Sequence, residues 1–470
     1  MRIVRAFAVA GVAWGLTGCG DETGETNGPT PQPDPAYHVE GGFLRDLEGR
    51  ALLLRGVNLA GEHKNAPYFG FHTLPDYQKI RAEWGMNAAR FLVTWAAVEP
   101  QKGAYDDAYL DELAKRMDWA RQAGIYVVLD MHQDVYGEGF GSGGGDGAPK
   151  WSCDAANYAS FVPNPSQWFL NYLSKEVTGC YDHFWTSADS EELQSHYAEA
   201  WRRVAVRLKD YDDVVIGFDP MNEPYWGSYA MTQFEADVLG PFYEKVVAVV
   251  RKEKPHWIAF TEPASSRNLG LATGLPVPSY ADVVYSPHSY DRDAEGGKGF
   301  DPMHRQAVLD NGVKLADEAR ALGAGLWIGE YGAQTESPGL AEYMTAEYDA
   351  FAAAAAGSTY WSYSKGGGYS ILDANGDEKP DLMDVLVRPF PEHVAGEPKS
   401  FAFDPATSTF TLTYAPDVKI TAPTVISVPE RAYPAGYQVE CGGCVSEKAK
   451  GQLLITKPAA GAEAVVTIHP

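Results

Sequence analysis

The feature that most constrains the fold of this 470-residue chain is a repeated alternation. Short apolar, β-branched runs are followed by stretches with helical spacing, eight times over about 330 residues. Strands are expected at Ala51–Asn58, Ala88–Trp95, Ile125–His132, Val214–Asn222, Trp257–Glu262, Val283–Ser289, Leu326–Glu330 and Ser358–Ser362. Helices are expected at Pro75–Trp84, Asp107–Gln122, Glu191–Leu208, Phe234–Lys252, about 305–322 and Leu340–Ala356. Within Asp107–Gln122, Leu110, Leu113, Ala114, Met117 and Ala120 recur at the spacing of one helix face. Strands that are apolar along their whole length need cover on both faces, and the intervening helices supply it. Eight such units predict an α/β chain folded as a (β/α)8, or TIM, barrel. A doubly wound open sheet is the competing topology. It wants a Gly-rich turn between an early strand and its helix. The run Gly139–Gly147 lies instead in a long insert, roughly 133–188.

After about residue 390 the pattern changes to alternating apolar and polar residues split by Pro and Gly, in Lys399–Tyr414, Thr424–Val428, Gly436–Glu440 and Gln452–Thr456. A C-terminal antiparallel β-sandwich domain, 393–470, is expected beside a barrel spanning 37–392. At the other end, Arg2 and Arg5 precede the apolar run Ala6–Leu16. Residues 1–18 have the character of a secretory signal peptide, too short to span a bilayer. Leu16-Thr17-Gly18-Cys19 resembles a bacterial lipoprotein cleavage box, which implies lipidation of Cys19 and an exported lipoprotein anchored in the cell envelope or on its extracellular side. Residues 19–36 lack the apolar content for a core and are expected to be a flexible tether. Cys153, Cys180, Cys441 and Cys444 form an even set in an exported chain, pointing to two disulfides. Sequence position favours Cys153–Cys180 and Cys441–Cys444 among three formal pairings. A zinc site is disfavoured, because the two pairs lie about 260 residues apart.

Composition narrows the partners. Lys plus Arg number 38 against 63 Asp plus Glu, for a formal charge of −25, which excludes a phosphate-backbone binder and a polybasic membrane-surface binder. No nucleic-acid partner is expected, and monomer is the default. The 12 Trp and 27 Tyr lean toward ring stacking on sugars, although an aromatic core gives the same count.

In a TIM barrel the active site forms at the C-terminal ends of the strands. Those ends carry Asn58, Arg90, Asp130-Met131-His132-Gln133-Asp134, Asn222-Glu223-Pro224, Glu262, His288-Ser289-Tyr290, Glu330-Tyr331 and Trp361. Glu223 and Glu330 end the fourth and seventh strands. Two carboxyls about 5–5.5 Å apart are what a retaining glycosidase needs, one as nucleophile and one as acid and then base. Glu330 is expected to be the nucleophile, kept ionised by Arg90. Glu223 is expected to be the acid/base, its pKa raised by the nearby Glu330.

The ordered set Arg90, His132, Asn222-Glu223-Pro224, His288/Tyr290, Glu330 and Trp361 resembles glycoside hydrolase family 5 over about 40–390. A closer resemblance is to the endoglycoceramidase group of that family. It lies in Asp130-Met131-His132-Gln133-Asp134-Val135-Tyr136 before a Gly-rich insert, in Gly217 to Pro224, in Ser286-Pro287-His288-Ser289-Tyr290 and in the C-terminal β-sandwich. The segment Ile328-Gly329-Glu330-Tyr331-Gly332 departs from many relatives, which have Phe where Tyr331 stands. The resemblance implies cleavage of the β-glycosidic bond between an oligosaccharide, or galactose, and ceramide in glycosphingolipids, with no cofactor and no metal. It implies that Arg90 and Tyr290 position the nucleophile, that Asn222 bonds the sugar 2-hydroxyl, and that Trp361 is a sugar platform. Lys64, His132 and Asp134 would contact the first sugar, with Asp130 and His288 also in the substrate-binding set.

Rival readings attach to the same residues. Asp130 and His132 could be a hydrogen-bonded strand-end pair, Arg90 a neutralising charge, and Trp361 core packing. Glu262 is taken as structural or peripheral. Asp373, Asn375 and Asp377 space oxygens like a calcium loop, but a polar turn is favoured. Candidate residues for an apolar ceramide groove are Tyr158, Phe161, Val162, Trp168, Phe169 and Leu170 of the insert, which could instead only pack the insert on the barrel. Two other functions use the same frame: an endo-β-glucanase, mannanase or β-glucosidase on soluble glycans, and a noncatalytic carbohydrate-binding lipoprotein.

Overall fold

In the computed structural model, which describes residues 36–164, 166–456 and 463–470, eight parallel strands close into a barrel. The signal-peptide segment, Cys19 and all but the last residue of the expected tether lie outside the described residues. The strands are β1 (Arg55–Leu59), β2 (Ala88–Val93), β3 (Tyr126–Met131), β4 (Val215–Asp219), β5 (Ile258–Thr261), β6 (Val283–Tyr285), β7 (Gly325–Tyr331) and β8 (Gly357–Tyr363). Each pairs in parallel with the next, and β8 pairs with β1 through Ser358 and Arg55 to close the ring. The doubly wound alternative is thereby excluded.

The helices follow the amphipathic pattern. Asp107–Ala123 is capped by the Asp106 side chain, which accepts from the Tyr109 N–H, and ends at the left-handed Gly124. Ser190–Arg207 and Arg305–Ala321 lie where helices were expected. The expected helix Phe234–Lys252 begins earlier, at Met231, and passes through a π-helical segment, Glu235–Leu239, before Gly240–Glu253.

Alternation along the strands sends successive residues to different layers. Ala89, Phe91 and Val93 of β2 point outward into the main core beneath the helices. Inward-facing residues change character with height. At the lower end Ala88, Val128, Ile216, Ile258, Phe260, Val284 and Trp327 form an apolar floor with Leu44, Leu52 and Leu54. At the upper end the interior holds Arg90, Asp130, Asp219, Glu262 and Glu330, all buried. Trp327 and Glu330 are an odd number of residues apart, so strict alternation would put them on opposite faces. A register shift between Ile328 and Tyr331 resolves this by re-aiming the strand end, the usual work of a bulge.

The sequence expectation of one strand at Ala51–Asn58 is corrected. Ala51–Leu52 pairs antiparallel with Phe390–Val394, and only Arg55–Leu59 enters the barrel. A continuous apolar run carries no period that marks where one strand stops and another begins. The strands His38–Glu40 and Phe43–Arg45 precede it in the same sheet. That sheet continues through Phe390–Val394, Thr424–Ser427, Gln452–Thr456 and Val445–Ala449, seven antiparallel strands in all. A four-stranded antiparallel sheet of Gly396–Asp404, Thr409–Pro416, Ala464–His469 and Gln438–Cys441 packs with it over Phe390, Phe401, Phe410, Leu412, Ile426, Leu453 and Ile468. Cys153 is bonded to Cys180 and Cys441 to Cys444. Among the described residues, no helix is long and apolar enough to cross a membrane.

Candidate active site

Arg90 is the hub at the upper end of the barrel, and it is fully buried. Its guanidinium donates to Glu330 Oε1 at 2.7 Å, Glu262 Oε1 at 2.8 Å, Asn222 Oδ1 at 3.0 Å, Asp219 Oδ2 at 3.1 Å and Asn58 Oδ1 at 3.2 Å, and lies 3.0 Å from Asp130 Oδ1. A planar, permanently charged fork satisfies several acceptors at once. The Tyr290 hydroxyl donates to the other oxygen of Glu330 at 2.9 Å. The carboxylate plane of Glu330 is thereby fixed from both sides.

Glu223 reaches the same cavity from the end of β4. One of its carboxylate oxygens lies within 4.8 Å of one from Glu330. So close an approach fits a nucleophile and its acid/base, with carboxyls about 5–5.5 Å apart, rather than the ~6.5–9.5 Å of an inverting pair. Glu223 Oε1 accepts from Asn268 Nδ2 at 2.6 Å and lies 2.7 Å from His288 Nδ1. The Glu223 backbone has φ 39°, a left-handed conformation that costs a residue with a Cβ of order 1–3 kcal/mol. The Glu223 N–H donates to Glu262 Oε2 at 2.9 Å, and Gln133 Nε2 donates to the carbonyls of Asn222 and Glu223. These bonds hold the strained turn. Asn222 also donates from Nδ2 to the Gln133 carbonyl at 3.1 Å, which leaves one amide N–H for a ligand.

On the opposite side His132 Nδ1 lies 2.7 Å from Asp130 Oδ2, and its ring stacks 5.3 Å from Trp361 at 12°. Lys64 places Nζ 4.9 Å above the Trp361 ring, pairs with Asp134, and lies 3.6 Å from Asp146 Oδ2. The Tyr172 hydroxyl donates to Asp134 Oδ1 at 3.3 Å. All eleven expected site residues, Glu223, Glu330, Lys64, Arg90, Asp130, His132, Asp134, Asn222, His288, Tyr290 and Trp361, therefore meet at one mouth. Trp361 is half-buried, with one face of its ring on His132.

Electrostatics departs from the sequence expectation in one respect. Burial raises the Glu330 carboxyl above its ordinary range, with Glu223 adding to the rise and His288 and Arg90 opposing it. Arg90 was expected to hold it down; the desolvation of a fully buried carboxylate is the larger effect. Burial works to lower His288, but Glu262 and Glu330 bring it well above the usual histidine value, so it carries a charge among three carboxylates. Burial raises Asp219 well above the carboxylate range, with Glu262 next. Burial opposes ionisation of Glu262 as well, yet His288 and Arg90 pull it to about 2. Burial raises Asp146 to about 7 against the pull of Lys64.

Sequence reasoning undervalued Glu262, gave Asp219 and Gln133 no role of their own, and passed over Asn268, Asp146 and Tyr172. Glu262 and Asp219 were signalled by acids within or ending buried strands. Asp146 lies in the Gly-rich insert, where the antiparallel bridge of Asp134 and Asp146 brings it in. Gly147 there has φ 99°, and a Cβ would sit 2.4 Å from the His132 carbonyl oxygen.

An acid pair at this spacing, held by a buried arginine and a tyrosine at the top of a (β/α)8 barrel, defines a retaining glycoside hydrolase. The chain belongs to glycosyl hydrolase family 5: residues 46–367 match the family described as "Cellulase (glycosyl hydrolase family 5)", and 388–469 match "Glycoside hydrolase family 5 C-terminal domain". Within the family it is similar to endoglycoceramidases. It is 27% identical over 452 residues to endoglycoceramidase I of Rhodococcus hoagii, covering 91% of this chain and 87% of the relative. The solved structure of endo-glycoceramidase II from Rhodococcus sp. in complex with ganglioside GM3 superposes with a TM-score of 0.82 at 33% identity, covering 91% of this chain and 99% of that one. Endoglycoceramidase of Cyanea nozakii is 24% identical over 442 residues, 84% of each chain.

Proposed function

We propose that this protein is an endo-acting hydrolase that releases the glycan of a glycosphingolipid from ceramide with retention at the anomeric carbon. The observation that carries the reading is the pairing of Glu330 and Glu223 in a chain similar along nearly its whole length to a structure solved with a ganglioside.

The chemistry follows from the contacts. Glu330 attacks the anomeric carbon while Glu223 protonates the glycosidic oxygen, so that the bond to ceramide breaks and a glycosyl–Glu330 ester forms. Glu223, now ionised, takes a proton from water, which attacks the same carbon and frees Glu330. Arg90 and Tyr290 hold the attacking carboxylate in plane. Trp361, stacked on His132 with Lys64 Nζ over its ring, serves as the sugar platform, and the Asn222 N–H not bonded to Gln133 is the donor for a sugar hydroxyl. Export and lipidation at Cys19 belong to the same reading, supported by the N-terminal sequence alone. Acyl labelling of the full chain that persists in Cys19→Ser would discard that part.

The test is product analysis with lactosylceramide, galactosylceramide and a soluble β-glucan. Intact lactose plus ceramide is the expected outcome. Galactose from galactosylceramide alone would narrow the activity to the monosaccharide glycolipid. Turnover of the β-glucan alone would keep the acid pair and overturn the lipid substrate.

A further inference from the structure

The insert between β3 and β4 carries an apolar surface that the barrel leaves uncovered. From Ala155 to Ser174 the sequence contains no charged residue, in a chain with 21% charged residues. Its apolar side chains divide into two sets. Tyr158 and Phe161 face inward, with ring centroids 4.8 and 4.9 Å from Phe140. They pack against the insert's own Phe140, which is buried in the main core. Val162, Trp168, Phe169 and Leu173 face out, at 81%, 47%, 52% and 69% exposure.

The outward set does not sit on a loose strand end. Asn171 Nδ2 donates to the Gly143 carbonyl at 2.8 Å, Asn171 Oδ1 accepts the Asn164 N–H at 2.7 Å, and the Cys153–Cys180 disulfide ties the insert on either side. Trp168, Phe169 and Leu173 belong to one 3-10 segment, Trp168–Leu173. Tyr172 of that segment turns the other way and bonds Asp134 in the sugar-side cluster. The exposed side chains therefore stand immediately beside the active-site mouth, on a backbone that is pinned in place.

We propose that Val162, Trp168, Phe169 and Leu173 form a docking surface for a zwitterionic lipid bilayer. Tryptophan, phenylalanine and leucine partition into the boundary between headgroups and acyl chains, and binding grows with the apolar area inserted. Charged side chains would resist that transfer, and this segment has none. The net charge of −25 sets the lipid class, because anionic leaflets repel such a protein. The surface deepens the glycolipid reading. A sugar joined to ceramide lies at the bilayer surface, and the mouth must be brought there.

The test uses the full chain carrying Cys19→Ser, so that no acyl chain contributes, with and without V162S/F169Q/L173Q. Sedimentation with phosphatidylcholine vesicles that contain no glycolipid is measured first. The triple variant is expected to lose at least about tenfold in vesicle binding and a similar factor in hydrolysis of lactosylceramide in the same vesicles, as expected when the inserted apolar area is removed. Its hydrolysis of a water-soluble aryl β-lactoside is expected to stay within about twofold, as for surface substitutions away from a site. Undiminished vesicle binding overturns the proposal. A parallel loss on the soluble lactoside also overturns it, because the residues would then shape the cleft. F169Q alone serves if the triple variant does not fold. Vesicles without glycolipid keep this test separate from the proposed activity: a wild-type protein that binds them but cleaves no glycolipid sinks the activity and leaves the docking surface standing.

Discussion

One turn of the pleat along β2 separates Ala88, in the apolar floor, from Arg90, which contacts four carboxylates at the mouth. The same step along β3 leads from Val128 to Asp130. The floor is made of side chains that lose nothing when water leaves. The mouth buries Arg90 with the acids Asp130, Asp219, Glu262 and Glu330 beside the half-buried, left-handed Glu223, arrangements that seldom stabilise a fold better than apolar residues of the same size. The same closed sheet thus supplies stability at one end, and that stability holds reactive groups in place at the other.

The largest expected effect tests the mouth. Glu330→Gln is expected to lower kcat/KM by on the order of 10⁴-fold or more, the scale of losing a nucleophile, with no comparable loss of thermal stability. Retained turnover would remove Glu330 from its role. Glu223→Gln comes next, with a loss of about 10²–10⁴ on the glycolipid and a much smaller loss for formation of the glycosyl-enzyme from an aryl glycoside, whose leaving group departs without protonation. Burst kinetics on the two substrates measure the difference.

The floor is expected to give the converse result. Trp327 packs 5.1 Å from the Phe260 ring and donates to the Leu54 carbonyl. Trp327→Ala should cost about 3–5 kcal/mol of stability in denaturant unfolding, while kcat/KM of the folded protein stays close to wild type. Activity lost in step with a fully folded population would erase the division between the two ends.

The smallest effect concerns Asp146, whose carboxyl is raised to about 7 in the folded state. An acid with a raised folded pKa binds its proton more tightly folded than unfolded. Its contribution to stability therefore falls as pH rises from about 4 to about 7. Asp146→Asn should remove that fall, so the Tm advantage of the variant over wild type grows across this window. A difference in Tm that is flat with pH would show that Asp146 ionises normally.

Much of this was legible in the sequence because both periodicities were undisturbed. Uninterrupted apolar runs and helical spacing gave the eight strand–helix units, and polar residues ending those runs marked the mouth. The split after Leu52 was not legible, since Ala51 to Leu54 is a single apolar run. The pairing of Ala51–Leu52 with Phe390–Val394, which brings His38–Arg45 into the same sheet, was hidden because sheet partners far apart in sequence leave no local mark. Asn268 was missed, and Gln133 was left without a role, because an amide on a loop announces nothing until the fold delivers it to a carboxylate or a carbonyl. The direction of the Glu330 shift was misjudged for a related reason: depth of burial is a property of the assembled barrel.

The sheet that joins both ends of the chain also sets an order of events during synthesis. Leu52 finds its partner His393 only after about 340 further residues have been made. At the usual ~5–20 residues per second this is a wait of roughly 20–70 s. Throughout it, one edge of Ala51–Leu52 stays unpaired and the seven-stranded sheet lacks its middle strand, Phe390–Val394. A chain cut short before Phe390–Val394 would present that open edge as a template for pairing with another chain.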